Sequence, residues 1–261
     1  MNSPKTLAEH REYLHEIVRL KLWFLHRWLA AHPGEPFAAA LRERVDIYRK
    51  TNLNPEGMNP ATLRFDSPAW QELERRAAAC HARCRASAEA FEAEAFELFR
   101  PSIDRRSERD FAENPLAGYQ CGFLRHELRT EPDAPDTLLF HIANDMTPDS
   151  FLDRDDHIRD CFTKLLDIAE HKFHARDITT CTWLNELPKW RRIFPPEWVE
   201  NMGPRNTDVK WHFGFWGQFL TARGTFNARY GKFLRETGEL PFFPRFARCS
   251  IASMRRKLDG L

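Results

Sequence analysis

Between Leu138 and Gly224 the chain concentrates the side chains that can do chemistry. The run opens with LLFHIAND, which sets His141 inside an apolar stretch and Asp145 at its end. An imidazole and a carboxylate placed at the mouth of a strand suit proton transfer. Cys181, next to Trp183, offers a thiol that His141 or His212 would serve as base. Five of the eight Trp fall between Trp183 and Trp216, interleaved with polar residues. Aromatic walls carrying a few polar tips are how small-molecule sites are built. The sequence therefore predicts a pocket lined by Trp183, Asn185, Trp211, His212 and Trp216. His141, Asp145 and Cys181 are its catalytic candidates.

Other groupings have metal-ligand spacing. Asp167, His171 and His174 follow one another at i, i+4 and i+7 on a helix, a spacing that holds zinc or iron. The apolar stripe of that helix runs through Ile158, Phe162, Leu165 and Ala169, which leaves the three polar residues facing solvent. The run Asp153, Asp155, Asp156, His157 reads as the acidic start of the same helix, where carboxylates complement the dipole. Glu12 and His15 form an E-x-x-H pair, but a di-iron bundle needs a second such pair and further carboxylates. The expectation is accordingly no metal site and no stoichiometric metal, with a metal-dependent enzyme using these His, Asp and Glu residues as the alternative.

Length and composition narrow the class. The chain has 261 residues, 42% hydrophobic and 30% charged, with a net charge of +1. That balance gives no support for nucleic-acid binding, which rests on a basic surface. No apolar run approaches the roughly 20 residues a membrane span needs. The opening MNSPKTLAEHREYL has no apolar signal core, so a cytoplasmic protein with six reduced Cys is expected. All but nine of the 39 basic residues are Arg, a residue that binds carboxylate and phosphate bidentately but more often only solubilises a surface.

The elements that must position these residues follow from caps and periodicity. Thr6 and Glu9 have capping-box spacing and open a helix that Pro33 and Gly34 end. A second helix is expected from Pro36 to about Lys50, followed by the polar loop TNLNPEGMNP. Ser67 and Pro68 open a pattern of three- and four-residue steps through Trp70, Leu73, Ala77, Cys80, Cys84, Ser87, Phe91, Ala95 and Leu98. Read as one helix ending at Pro101, it would span roughly 45 Å and could pair with a second copy as a homodimer. After the connector SIDRRSERDFAENP the period changes. AGYQCGFLRHEL and TLLFHIA read as an antiparallel pair of strands around EPDAPD. A helix covers about Asp153 to Phe173, and DITTCTWL is a strand. Trp190, Phe194 and Trp198 share one face of a broken helix, and VKWHFGFW alternates like a strand. TFNARYGKFLRETG is a helix closed by Gly238, and SIASMRRKL a short terminal one.

His141–Ile142 and Cys181–Thr182–Trp183–Leu184, forty positions apart with a helix between, resemble the HIP-type and C-x-S-W-L strands of uncharacterised GNAT-like acyltransferases that carry a helical N-terminal domain. The resemblance spans the central quarter of the chain. It implies acyl transfer to an amine or hydroxyl, with His141 or Asp145 as base and Cys181 near the acyl group. An acyl-CoA donor would be met at its anionic end by Gln218 and Arg223 in GQFLTARG, which lacks the first glycine of the pyrophosphate turn in that class.

The combined expectation is an α+β protein, with a helical N-terminal region over residues 1–110 packed on a mixed α/β domain over residues 111–261 that has a small sheet and the site. Acyl transfer on a small molecule is the leading function. A metal-dependent enzyme and a non-catalytic ligand-binding or assembly protein are the alternatives. No motif names a cofactor: the glycine-rich phosphate loop, nucleophile elbow, H-E-x-x-H and paired C-x-x-C are all missing.

Overall fold

A computed structural model describes residues 5–54, 64–114, 116–127, 130 and 133–260. Part of the loop expected at TNLNPEGMNP and the start of EPDAPD lie outside the described residues. The chain is α+β, with helices mostly in the N-terminal part and one four-stranded mixed sheet. Its contacts divide it into two compact units, a helical one made of Lys5–Glu113 with Val209–Pro241, and an α/β one made chiefly of Asn114–Asp208 with Phe242–Leu261. The segment 209–241, read from sequence as part of the second domain, thus packs with the helical residues.

In the helical unit, helix α1 (Leu7–Ala31) starts at the expected capping box. The Thr6 hydroxyl accepts from the Glu9 N–H at 3.2 Å, and the Glu9 carboxylate accepts from the Thr6 N–H at 2.8 Å. The expected second helix breaks up. Phe37–Ala40 passes into a π-helical turn, Leu41–Val45, and stops at Asp46, whose φ of 43° is left-handed. A single 3₁₀ turn, Tyr48–Lys50, follows.

The single long helix expected from Ser67 is two helices, α2 (Pro68–Arg83) and α3 (Ala88–Ala112). Ser87, counted into the apolar stripe by its spacing, is instead the N-cap of α3 and accepts from the Ala90 N–H at 3.1 Å. Pro101 does not stop α3, because buried Phe99 and Ile103 anchor the chain on both sides of it. The segment read as a charged connector is the last three turns of α3. Its Arg106 is fully buried and donates to the Asn54 carbonyl at 2.9 Å. Of the stripe, Trp70, Ala77, Cys80, Phe91 and Ala95 are buried inside the unit, whereas Leu73, Cys84, Ser87 and Leu98 are partly exposed. No described helix is long and apolar enough to cross a membrane.

The α/β unit has the strand order β1 (Leu124–His126), β2 (Thr137–Ile142), β3 (Asp177–Thr182), β4 (Arg245–Ser250). The β1–β2 pair is antiparallel as expected, β2 and β3 run parallel, and β3–β4 is antiparallel. Helix α4 (Asp155–Phe173) makes the crossover from β2 to β3 and buries Ile158, Cys161, Phe162, Leu165, Leu166 and Ala169. Helix α5 (Ile251–Leu258) follows β4 directly, capped by Ser250. Two short helices, Pro188–Arg191 and Pro196–Glu200, bring Trp190, Phe194 and Trp198 together, with the last two rings stacked at 3.9 Å.

Candidate functional site

The helical unit holds a small cavity lined by Tyr13, Lys21, Asp46, Arg49, Trp211 and Trp216, among others. Its volume of about 30 Å³ has room for two waters or a carboxylate-sized group. Each wall has a local cause. Lys21 sits on the buried stripe of α1, between Val18 and Leu25, so its amine has nowhere to go but inward. The π-helical turn and left-handed Asp46 aim the Val45 carbonyl at that amine, which donates to it at 2.6 Å. Asp46 pairs with the Arg49 guanidinium at 2.6 Å, and both are almost fully buried. The Arg49 guanidinium lies 3.5 Å from the Trp211 ring centre, and the Lys21 amine 5.1 Å from that of Trp216. Both are cation–π contacts, strengthened by desolvation.

Trp211 and Trp216 reach this cavity by a route that differs from the expected strand. VKWHFGFW contains no strand; Phe213–Trp216 is a helical turn whose N-cap is His212, the imidazole Nδ1 accepting from the Gly214 N–H at 3.2 Å. The Trp211 N–H is tied to the Glu43 carbonyl at 2.9 Å, and the Trp216 indole donates to the Arg44 carbonyl at 3.1 Å. Gln218 is fully buried and donates to the Phe215 carbonyl, while Arg223 pairs with Glu9 at 2.6 Å.

Burial pushes the Lys21 amine down to about 7, against the pull of Asp46 and helped by the neighbouring charges of Lys50 and Arg49. Near neutral pH a good fraction of it is a free amine. Burial also holds the Asp46 carboxyl above the ordinary carboxylate range, with Arg49 and Lys21 opposing. The cavity therefore combines a cation that is always charged, an amine poised near neutrality and two aromatic walls.

The other expected residues lie in the α/β unit and do not share one constellation there. His141, on β2, donates to the Glu127 carboxylate, and both side chains are partly exposed. Asp145 accepts from His157 at 2.8 Å, not from His141. The Cys181 thiol is bonded to neither, and burial pushes it up to about 11, which suppresses the thiolate a nucleophile needs. Trp183 stacks loosely on Phe242, with ring centres 6.0 Å apart. Asn185 is fully buried with its amide fully used. Its oxygen accepts from the indoles of Trp190 and Trp198 at 2.9 and 3.1 Å, and its nitrogen donates to the Thr180 and Arg245 carbonyls. Asp167, His171 and His174 are exposed, as their position opposite the apolar stripe predicts.

Sequence reasoning missed Lys21, Asp46, Arg49 and Glu127. A signal for Lys21 was present, since a lysine inside the apolar stripe Leu14, Ile17, Val18, Leu25 is a buried charge announced by periodicity. Asp46 and Arg49 had no such mark, because their place depends on a break within a helix. Comparison with protein-family models, curated proteins and solved structures finds no match to the chain.

Proposed function

We propose that this protein is a small-molecule enzyme that binds an organic anion in its helical unit, with the anionic group at Lys21 and Arg49 and the apolar part against Trp211. The convergence of Lys21, Asp46 and Arg49 beneath two indoles carries this reading. A structural core would fill the same space with aliphatic side chains and avoid desolvating three ionisable groups. The cavity is far smaller than the several hundred Å³ of a drug-sized site, so it takes the head of the ligand, and the body lies outward along Trp211 and exposed Phe213.

Acyl transfer is a separate part of the proposal and concerns the α/β unit alone. The support is the sequence resemblance around His141 and Cys181, together with the His141–Glu127 pair, an imidazole oriented by a carboxylate as in a general base. In such a step an acceptor amine or hydroxyl gives its proton to His141 and attacks the acyl carbon, and the C–S bond of the donor breaks to a thiolate that takes the proton back from the imidazolium. Cys181 is left out of this chemistry by its burial. Release of free thiol from acetyl-CoA in the presence of a panel of small amines and alcohols tests the reaction. A His141→Gln variant should keep its melting temperature and lose the activity. Lost stability with retained turnover would make His141 structural and remove the base.

A further inference from the structure

The α/β unit carries a second cluster that the preceding reading does not use. His157 and Cys161 stand at i and i+4 on the first turns of α4, and Asp145 enters from the loop that leaves β2. The His157 Nε2 lies 2.8 Å from Asp145 Oδ2 and 3.6 Å from Cys161 Sγ, and one ligand atom from each residue lies within 4.8 Å of the others.

Two chemistries use this trio of residue types, and the ring nitrogens separate them. A thiol–imidazole–carboxylate relay needs the carboxylate on one nitrogen and the thiol on the other, so that a proton can cross the ring. Here Asp145 takes Nε2, and the thiol lies beside the ring, 3.6 Å from Nε2 and 3.9 Å from Nδ1, in line with neither lone pair. The relay is therefore not assembled, whereas one ligand atom from each of the three residues within 4.8 Å of the others is close enough to share a metal ion once the imidazole turns. Two further observations point the same way. Asp145 Oδ1 is buried and has no hydrogen-bond partner among the described residues. Gly122, at a φ of +64°, keeps the space open, since a Cβ there would come within 2.4 Å of Cys161 Sγ and 3.1 Å of Asp145 Oδ2.

We propose that Asp145, His157 and Cys161 bind one zinc-like divalent cation. The mixed oxygen, nitrogen and sulfur set suits zinc, for which tetrahedral bonds of about 2.0–2.3 Å place nitrogen and sulfur ligands about 3.6 Å apart. The Nε2–Sγ separation already has that length, but an ion on Nε2 also puts the sulfur about 5 Å from Nδ1, so the imidazole has to rotate away from the present 3.9 Å. The carboxylate has to draw back by roughly half an ångström to reach the corresponding oxygen–nitrogen distance. Binding displaces the proton between Asp145 and His157 and the thiol proton of Cys161, so affinity rises with pH. Three protein ligands leave a fourth position for water or substrate, and the partly exposed His157 gives access to it. The inference departs from the expectation of no stoichiometric metal and stands independently of the anion site.

Zinc binding by calorimetry, with cobalt substitution followed by its thiolate charge-transfer absorption, tests it on the full chain. The wild type should bind one ion with the thiolate band. Cys161→Ser should abolish the band and weaken zinc by more than the roughly 10–100-fold lost on removing a mere supporting group. His157→Asn, on the half-exposed face, gives the same readout should Cys161→Ser not fold. A second grouping, Cys80, Cys84 and Glu94 in the helical unit, has atoms equally close together. Cys84→Ser must therefore leave binding unchanged. Absence of stoichiometric binding, equal affinity in Cys161→Ser and His157→Asn, or loss of the ion with Cys84→Ser alone would overturn the assignment.

Discussion

Replacing Lys21 with Met should change how stability depends on pH, in a direction fixed by the sign of its shift. The free amine of an unfolded chain titrates near about 10.4. In the fold, burial brings Lys21 to about 7. Between those two values the unfolded chain holds a proton that the folded chain does not, so unfolding takes up a proton and stability rises with pH. The slope is at most about 1.4 kcal/mol per pH unit, which sums to an upper bound of ~4–5 kcal/mol across the window. Below it both states are charged and the contribution is flat. Met keeps the length of the side chain without the charge, but leaves the Val45 carbonyl without the donor it has at 2.6 Å, a loss of about 1–3 kcal/mol. The two curves should therefore cross, with the variant more stable near neutrality and the wild type more stable near the alkaline end. Urea unfolding followed by far-ultraviolet circular dichroism, with the two proteins compared at each pH, cancels the other titrating groups. A difference that stays constant with pH would show that Lys21 remains charged in the fold, and the argument for a poised amine would fail.

Three further outcomes follow from packing. Asn185→Leu should destabilise by about 3–6 kcal/mol, because two indole N–H groups and two carbonyls lose partners in a sealed interior; near-wild-type urea stability would refute its structural role. Gly122→Ala should cost ~2–4 kcal/mol, from a left-handed backbone and from collision with Cys161, and Cys161→Ala in the same chain should recover part of it in a double-mutant cycle. Ala77→Asp places an unpaired charge on the fully buried face of α2, so its melting temperature should fall by an amount equivalent to several kcal/mol; an unchanged value would contradict the packing of that helix.

What the sequence made legible was whatever is encoded locally. The Thr6–Glu9 box, the Ser67–Pro68 start and the Gly238 stop are chemical signals within a few residues, and all three mark real helix ends. Periodicity was less reliable at breaks. The apolar step from Cys84 through Ser87 to Phe91 keeps phase across the gap between α2 and α3, so spacing could not reveal it. Strand β4 was invisible because its inward residues, Ala247 and Cys249, are small, whereas Phe246 faces outward. The alternation in VKWHFGFW misled for the opposite reason, its aromatics being set by contacts of Trp211 and Trp216 with Glu43 and Arg44 more than 160 positions earlier. The same limit applied to chemistry. His157 was visible only as part of an acidic helix start and Asp145 only as a neighbour of His141, and their meeting with Cys161 depends on the crossover from β2 to α4.

The proposed function stands or falls with acceptance of an organic anion by the Lys21–Arg49–Trp211 cavity. Calorimetric titration with indole-3-acetate and with acetyl-CoA, on the wild type and on Trp211→Ala, is the direct measurement. Trp211 is only half-buried, so its removal should leave the fold in place while taking away the indole wall. We expect one site per chain in the wild type and at least a roughly tenfold loss of affinity in the variant, which corresponds to ~1.4 kcal/mol. Equal affinity in the two proteins, or no binding of either probe to the wild type, would contradict the reading.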